Sequence, residues 1–259
     1  MPDHDDSTSD RQFYFLHVPK TAGTSLRSII EGQFASVRIC PTPEVIQGYG
    51  GNYPPIRYIL EIPQDEFDRY ELVRGHYFYN MVERFSRTPL RVTMLRKPKP
   101  RTISFLRHAM RNPNLAETSI NDLLANENFV QKYLRDYQVK LLALELDNSD
   151  PEKVPVDTNV PLVSGPKMLE RAKAVLDEFE FVGLAEHFDE SVELMAARFG
   201  WTVPEAAPAL NRSPRQLTER EELSDESLEI IREATQLDEE LYEHAVGVFQ
   251  KMRDQAVTT

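Results

Sequence analysis

One cysteine, Cys40, stands in a chain of 259 residues. A lone cysteine excludes an internal disulfide and any cysteine-built zinc or iron centre, so Cys40 reads as a small hydrophobe without chemistry of its own. No run of about 18 apolar residues exists to span a bilayer. Residues 1–10 are polar and acidic and lack the basic-then-apolar order of a secretory leader. The expectation is a soluble, cytoplasmic protein with a disordered acidic tail over residues 1–10 and one domain over residues 11–259. Internal repeats and low-complexity runs are also lacking. The most telling absence is local: from Arg84 to Arg111 there is no Asp or Glu, while nine Lys or Arg residues are present.

That basic stretch stands out because the chain as a whole carries a formal net charge of −12. Such a balance argues against general binding to nucleic acid or a membrane surface. It predicts instead that one region of an acidic protein is kept positive for a bound anion. With 41% hydrophobic residues the chain has the material for a sizeable core.

Residues 13–18 read as a buried strand and 24–34 as the helix that follows it. Residues 41–55 hold Pro41, Pro43, Pro54, Pro55, Gly48, Gly50 and Gly51 and predict a loop, long enough to act as a lid or acceptor-binding segment. Short strands are expected at Glu71–Gly75, Arg91–Arg96 and Glu180–Leu184. Helices are expected at Arg101–Met110, across Ser119–Leu146, at Pro166–Phe179, at Phe188–Phe199 with Gly200 as its cap, and as one acidic helix over Ser224–Met252. Strands alternating with helices predict an α/β, P-loop-like three-layer fold with a central parallel sheet flanked by helices.

The segment Phe13-Tyr14-Phe15-Leu16-His17-Val18-Pro19-Lys20-Thr21-Ala22-Gly23-Thr24-Ser25-Leu26 runs an apolar strand into a short loop that opens a helix. Unpaired N–H groups at a helix start and the helix dipole favour an anion there. Gly23 allows close approach of the backbone, Lys20 adds a full charge, and Thr21, Thr24 and Ser25 offer hydroxyl donors. A Walker loop places its lysine after the last glycine, whereas Lys20 precedes Gly23, which disfavours an ordinary ATPase or kinase. The second strand, ending at Arg96, delivers another basic residue at a carboxyl end, with Ser104 in the helix beyond. In open α/β sheets ligands bind past the carboxyl ends of strands, so Lys20 and Arg96 are expected to face one crevice and hold two phosphate-like groups.

These motifs together resemble the Golgi-type sulfotransferase family that includes the heparan sulfate and uronyl 2-O-sulfotransferases and many soluble bacterial relatives. The resemblance spans most of the chain. His17 to Leu26 is similar to the family's 5′-phosphosulfate loop, with Lys20, Thr21, Ala22, Gly23, Thr24 and Ser25 as its contacts. Arg96 and Ser104 match its 3′-phosphate motif, an Arg followed eight residues later by a Ser. Arg74-Gly75-His76-Tyr77 resembles the segment that carries the catalytic base, His76. Further likenesses lie at Tyr137-Gln138-Val139-Lys140-Leu141-Leu142, Phe181-Val182-Gly183-Leu184 and Leu237-Asp238-Glu239-Glu240-Leu241-Tyr242, and Asn211 and Arg212 fall where the family makes late donor contacts. Two departures are plain: Lys97 stands where the family has an acid, and Arg74 where some relatives carry a second histidine.

The resemblance implies a sulfotransferase that moves a sulfuryl group from 3′-phosphoadenosine 5′-phosphosulfate (PAPS) to an acceptor hydroxyl, without a metal. Lys20 would stabilise the leaving phosphate and His76 would accept the acceptor's proton. Two other classes stay open at this point: a P-loop-like nucleotide kinase and a non-catalytic nucleotide-binding module. Arg107, His108 and Arg111 read equally as a solvated helix face or an acceptor-binding rim. Likewise Tyr49, Tyr53, Tyr58, Tyr77, Phe78 and Tyr79 read as packing or as an acceptor pocket. His17 reads as a histidine that is packed or hydrogen-bonded to backbone, in preference to a catalytic one.

Overall fold

The fold is taken from a computed structural model that describes residues 11–203 and 222–258, apart from 116, 148, 162 and 163. The expected tail and the Asn211 and Arg212 contacts lie outside the described residues. In chain order the elements are β1 (Phe13–Leu16), α1 (Gly23–Glu31), β2 (Ile39–Cys40), α2 (Pro43–Gly48), α3 (Ile56–Leu60), α4 (Gln64–Phe67), β3 (Leu72–Gly75), β4 (Leu90–Leu95) and α5 (Pro98–Ala109). There follow α6 (Ile120–Ala125), α7 (Glu127–Tyr133), α8 (Tyr137–Ala143), α9 (Pro166–Asp177), β5 (Phe181–Leu184), α10 (Phe188–Phe199), α11 (Asp225–Ala234) and α12 (Gln236–Thr258).

The five strands form one sheet in the order β2-β3-β1-β4-β5, and every pairing is parallel. Period-two alternation divides the strand side chains between two cores. Phe13, Phe15, Val92, Met94 and Phe181 point to the face covered by α1 and α10, where Leu26, Ile29, Ile30, Val192 and Met195 complete one cluster. Tyr14, Leu16, Val73, Leu95, Val182 and Leu184 point to the face covered by α8, α9 and α12. The expected three-layer α/β fold is therefore the observed one. A third cluster joins α5, α6, α7 and α11 through Leu106, Leu123, Val130, Leu134 and Ile231, and it holds the far end of α5 in place.

The connection leaving β1 enters α1 on one face, whereas the helices between β4 and β5 include α8 and α9, packed on the other. The gap between the carboxyl ends of β1 and β4 is thus the topological switch point, where parallel sheets leave a crevice.

Several expected elements are cut differently. The 41–55 segment, expected as a loop, contains α2, because Pro43 sits in the first turn and the Thr42 side chain caps Val45 N–H at 3.4 Å. The expected helix over 119–146 breaks into three, at Asn126, which caps α7 through Phe129 N–H, and at Asp136, held at φ 40°. The acidic helix over 224–252 breaks at Thr235. The last two breaks share a cause. Asp136 accepts from the N–H groups of Leu237 and Asp238, while Asp238 accepts from those of Gln138 and Val139, so each carboxylate caps the other's helix. Burial and the neighbouring Asp136 push the Asp238 carboxyl up to about 7. Gly200 caps α10 at φ 68°, as expected. Cys40 is buried in the core with its thiol pushed up to about 12, in keeping with an inert role.

Among the described residues no helix is long and apolar enough to cross a membrane.

Candidate functional site

The loop between β1 and α1 is built under strain. Lys20 and Ala22 both have positive φ, at 72° and 62°, a region that costs a side-chain-bearing residue about 1 kcal/mol or more. Positive-φ residues two apart are a feature of the turns from which anion nests are built. Ala22 stands at the N-cap of α1, and no side chain caps that helix. Thr21 is buried and its hydroxyl donates to the Val18 carbonyl at 2.9 Å, bracing the loop from inside. Its side chain is therefore a strut, not the anion donor expected from the sequence. Lys20, Ala22, Gly23, Thr24 and Ser25 line the open side.

Arg96 leaves the end of β4 and its guanidinium donates to the Lys20 carbonyl at 3.1 Å, with Glu186 3.8 Å away. This bond sets the two strand ends side by side and helps hold the positive φ of Lys20. Gln138 grips Arg96 in turn: its amide oxygen accepts from Arg96 N–H at 3.0 Å and its amide nitrogen donates to Arg96 C=O at 2.9 Å. Gln138 is fully buried, and its own N–H is capped by Asp238. Ser104 lies on the cleft side of α5. Lys20, Arg96 and Ser104 thus share one crevice, as their positions in sequence predicted.

The crevice is a cleft of about 2260 Å³. His76, at the end of β3, and His17, at the end of β1, enter it with ring centroids 4.4 Å apart. The His76 Nδ1 lies 2.6 Å from the His17 carbonyl. A carbonyl only accepts, so Nδ1 carries the proton and Nε2 keeps its lone pair free. Burial holds the His76 imidazole down at about 4, reinforced by Arg27 and Lys20 and partly offset by the bond to His17. Burial and His76 hold His17 well below the ordinary histidine value, with Arg27, Arg74 and Lys20 adding to the effect. Both rings are neutral near pH 7.

The basic stretch serves two purposes. Arg84 ties down Ile62 and Gln64, Arg91 pairs with Glu178 and Glu180, and Arg101 is buried over the Tyr137 ring at 4.3 Å. Arg96, Arg107, His108 and Arg111 face the cleft. Burial lowers the Lys20 ammonium pKa, and Arg111, Arg96 and Arg101 lower it further, so cations prevail around Lys20 although Asp157, Glu186, Asp189, Glu190 and Glu193 line other parts of the cleft. Such a site gains from a multiply charged anion.

The aromatic residues divide as well. Tyr49 and Tyr53 line the cleft, while Tyr77, Phe78 and Tyr79 belong to the core and Tyr58 packs against it. Arg74 is buried against Glu31 and donates to the Pro41 carbonyl at 2.7 Å, a structural tie in the position where a second histidine was absent. Sequence reasoning named Gln138 only within a likeness and Tyr53 only as packing or an acceptor pocket; it missed the grip of Gln138 on Arg96 across 42 residues and the Tyr53 hydroxyl 3.1 Å from His17 Nδ1. No protein-family model matches the chain, and no curated protein shows significant sequence similarity to it.

Gly23 has a reason beyond chain flexibility. A Cβ at this position would lie 1.8 Å from His17 Nε2, so Gly23→Ala must drive the imidazole out of its seat. The expected cost is about 1–3 kcal/mol in denaturant-induced unfolding. An unchanged unfolding midpoint would show that His17 is free to move.

Proposed function

We propose that this chain is a PAPS-dependent sulfotransferase that delivers a sulfuryl group to an acceptor hydroxyl. The observation that carries the reading is the pair of anion points, Lys20 with its strained loop and Arg96 with Ser104, joined by the Arg96–Lys20 bond in the same cleft as His76. A nucleotide with phosphate groups at both 5′ and 3′ positions fits two such points, and the resemblance noted in the sequence assigns them in that order.

In this reading the acceptor oxygen attacks sulfur while the bond from sulfur to the 5′-phosphate oxygen breaks on the opposite side. The acceptor proton passes to His76 Nε2, the lone pair left free by the bond from Nδ1 to His17. Lys20 and the loop N–H groups offset the charge that develops on the departing phosphate. Arg96 and Ser104 hold the 3′-phosphate and supply orientation. Asn211 and Arg212 complete the donor contacts as the resemblance implies. A P-loop-like kinase is disfavoured by the position of Lys20 before Gly23.

Titration calorimetry with 3′-phosphoadenosine 5′-phosphate and with ATP, each with and without magnesium, tests the donor. Micromolar binding of the 3′-phosphorylated nucleotide is expected, weakened about 10- to 100-fold in Arg96→Ala by loss of charge-assisted hydrogen bonds. A magnesium-dependent preference for ATP would replace this reading with the kinase.

The pH dependence tests the base. Because His76 is held at about 4 in the free protein, it is unprotonated and ready to accept over the neutral range. The acid limb of kcat/KM reports the free enzyme, so the limb due to His76 is expected below the ordinary histidine value of about 6.5. Bound phosphosulfate offsets the positive charge of Arg27 and Lys20, so the corresponding limb of kcat lies at higher pH. A free-enzyme limb assigned to His76 at or above 6.5, or full turnover in a folded His76→Gln variant, would remove the base assignment.

A further inference from the structure

We propose that His17 is a second working histidine of the site, a neutral imidazole whose Nε2–H donates to an oxygen of the anion on the 19–25 loop, with Tyr53 as the positioning residue that fixes its tautomer. The identity of that anion as a phosphosulfate rests on the reading above. The hydrogen bond itself rests on the geometry of three side chains and a glycine.

His17 is 6% exposed, yet it lines the cleft beside Lys20 and His76. Its Nδ1 lies 3.1 Å from the Tyr53 hydroxyl. Burial pushes that hydroxyl up to about 12, so it keeps its proton. Between a phenol and a neutral imidazole, the phenol is the stronger O–H donor and the ring nitrogen the stronger acceptor. Tyr53 therefore donates to Nδ1, and the ring proton of His17 resides on Nε2. Tyr53 is itself steadied by Arg74 and Arg27, whose guanidinium carbons lie 5.5 and 5.9 Å from its ring centroid.

Nε2 is the atom that presses on Gly23, the first residue of α1, at the spot where a methyl group has no room. Among the described residues Nε2 makes no hydrogen bond, and it is not sealed off from the cleft. An N–H that abuts the first residue of α1, opens on the cleft and has no protein acceptor is placed to donate to an oxygen of an anion held there. A neutral donor suits this place, because the cations Lys20, Arg27 and Arg74 already surround the ring and a further charge would add repulsion. The two histidines consequently hold opposite tautomers. His76 carries its proton on Nδ1, bonded to the His17 carbonyl, and presents a lone pair; His17 carries its proton on Nε2 and presents a donor.

Histidine-labelled protein followed by nitrogen-15 NMR reads the tautomers directly and needs no variant. The expected spectrum has His17 protonated on Nε2, with that resonance shifting on addition of 3′-phosphoadenosine 5′-phosphate or of inorganic pyrophosphate. In calorimetry, His17→Ala is expected to weaken both ligands about 10- to 100-fold, whereas His17→Gln, whose amide N–H reaches the Nε2 position, stays within about threefold of the native protein. Tyr53→Phe is expected to leave His17 in mixed tautomers with a loss of about threefold. A proton on Nδ1 of His17, or native affinity for both ligands in a folded His17→Ala, overturns the proposal. Pyrophosphate binding that depends on His17, without nucleotide binding, upholds the proposal and removes the nucleotide reading. Nucleotide binding indifferent to His17 does the reverse, and failure of both anions to bind overturns both.

Discussion

The hydrogen bond from Arg96 to the Lys20 carbonyl is the constraint on which the rest of the site depends. Parallel strands place their carboxyl ends along one edge, but they do not by themselves decide how two loops face each other. Here one loop donates a guanidinium and the other offers a carbonyl turned outward by a residue at φ 72°. The bond keeps Arg96 over the crevice and keeps Lys20 in a backbone state it would otherwise leave. Behind it stands a chain of supports: Gln138 holds the Arg96 backbone at both ends, and Asp238 caps the helix that carries Gln138.

The electrostatic design follows from that frame. The chain carries a formal net charge of −12, yet Lys20, Arg96, Arg107 and Arg111 converge on one cleft. Burial lowers the affinity of Lys20 for its proton, and Arg111, Arg96 and Arg101 lower it further. Two imidazoles sit beside them, and burial first, with the neighbouring cations adding to it, keeps both neutral. Neutrality suits both proposed roles, one to accept a proton and the other to donate a hydrogen bond without adding charge.

Much of this was legible in the sequence, and the part that was not has a physical explanation. The strand-loop-helix pattern around Lys20 and the second strand expected to end at Arg96 are local signals, written in consecutive residues, and both were found with boundaries shifted by at most three residues. Contacts between distant segments leave no local trace. Nothing in the spacing of Tyr53 announces that the loop carrying it folds back to His17, and nothing near Asp238 announces that it caps a helix 100 residues earlier. The reciprocal caps of Asp136 and Asp238 break the expected long helices at Asp136 and Thr235. The basic run from Arg84 to Arg111 misled in another way, because Arg84, Arg91 and Arg101 hold the fold together. Thr21 likewise has the right residue type in the right loop, with its hydroxyl turned inward to Val18.

A crystal structure of the protein with 3′-phosphoadenosine 5′-phosphate tests the central claim most directly. The 5′-phosphate is predicted on the N–H groups from Lys20 to Ser25 and the side chains of Lys20, Thr24 and Ser25, and the 3′-phosphate on Arg96 and Ser104, with the Arg96–Lys20 bond retained. A nucleotide seated elsewhere in the cleft, or one whose 3′-phosphate points into solvent while Arg96 stays bound to Glu186, would contradict the account.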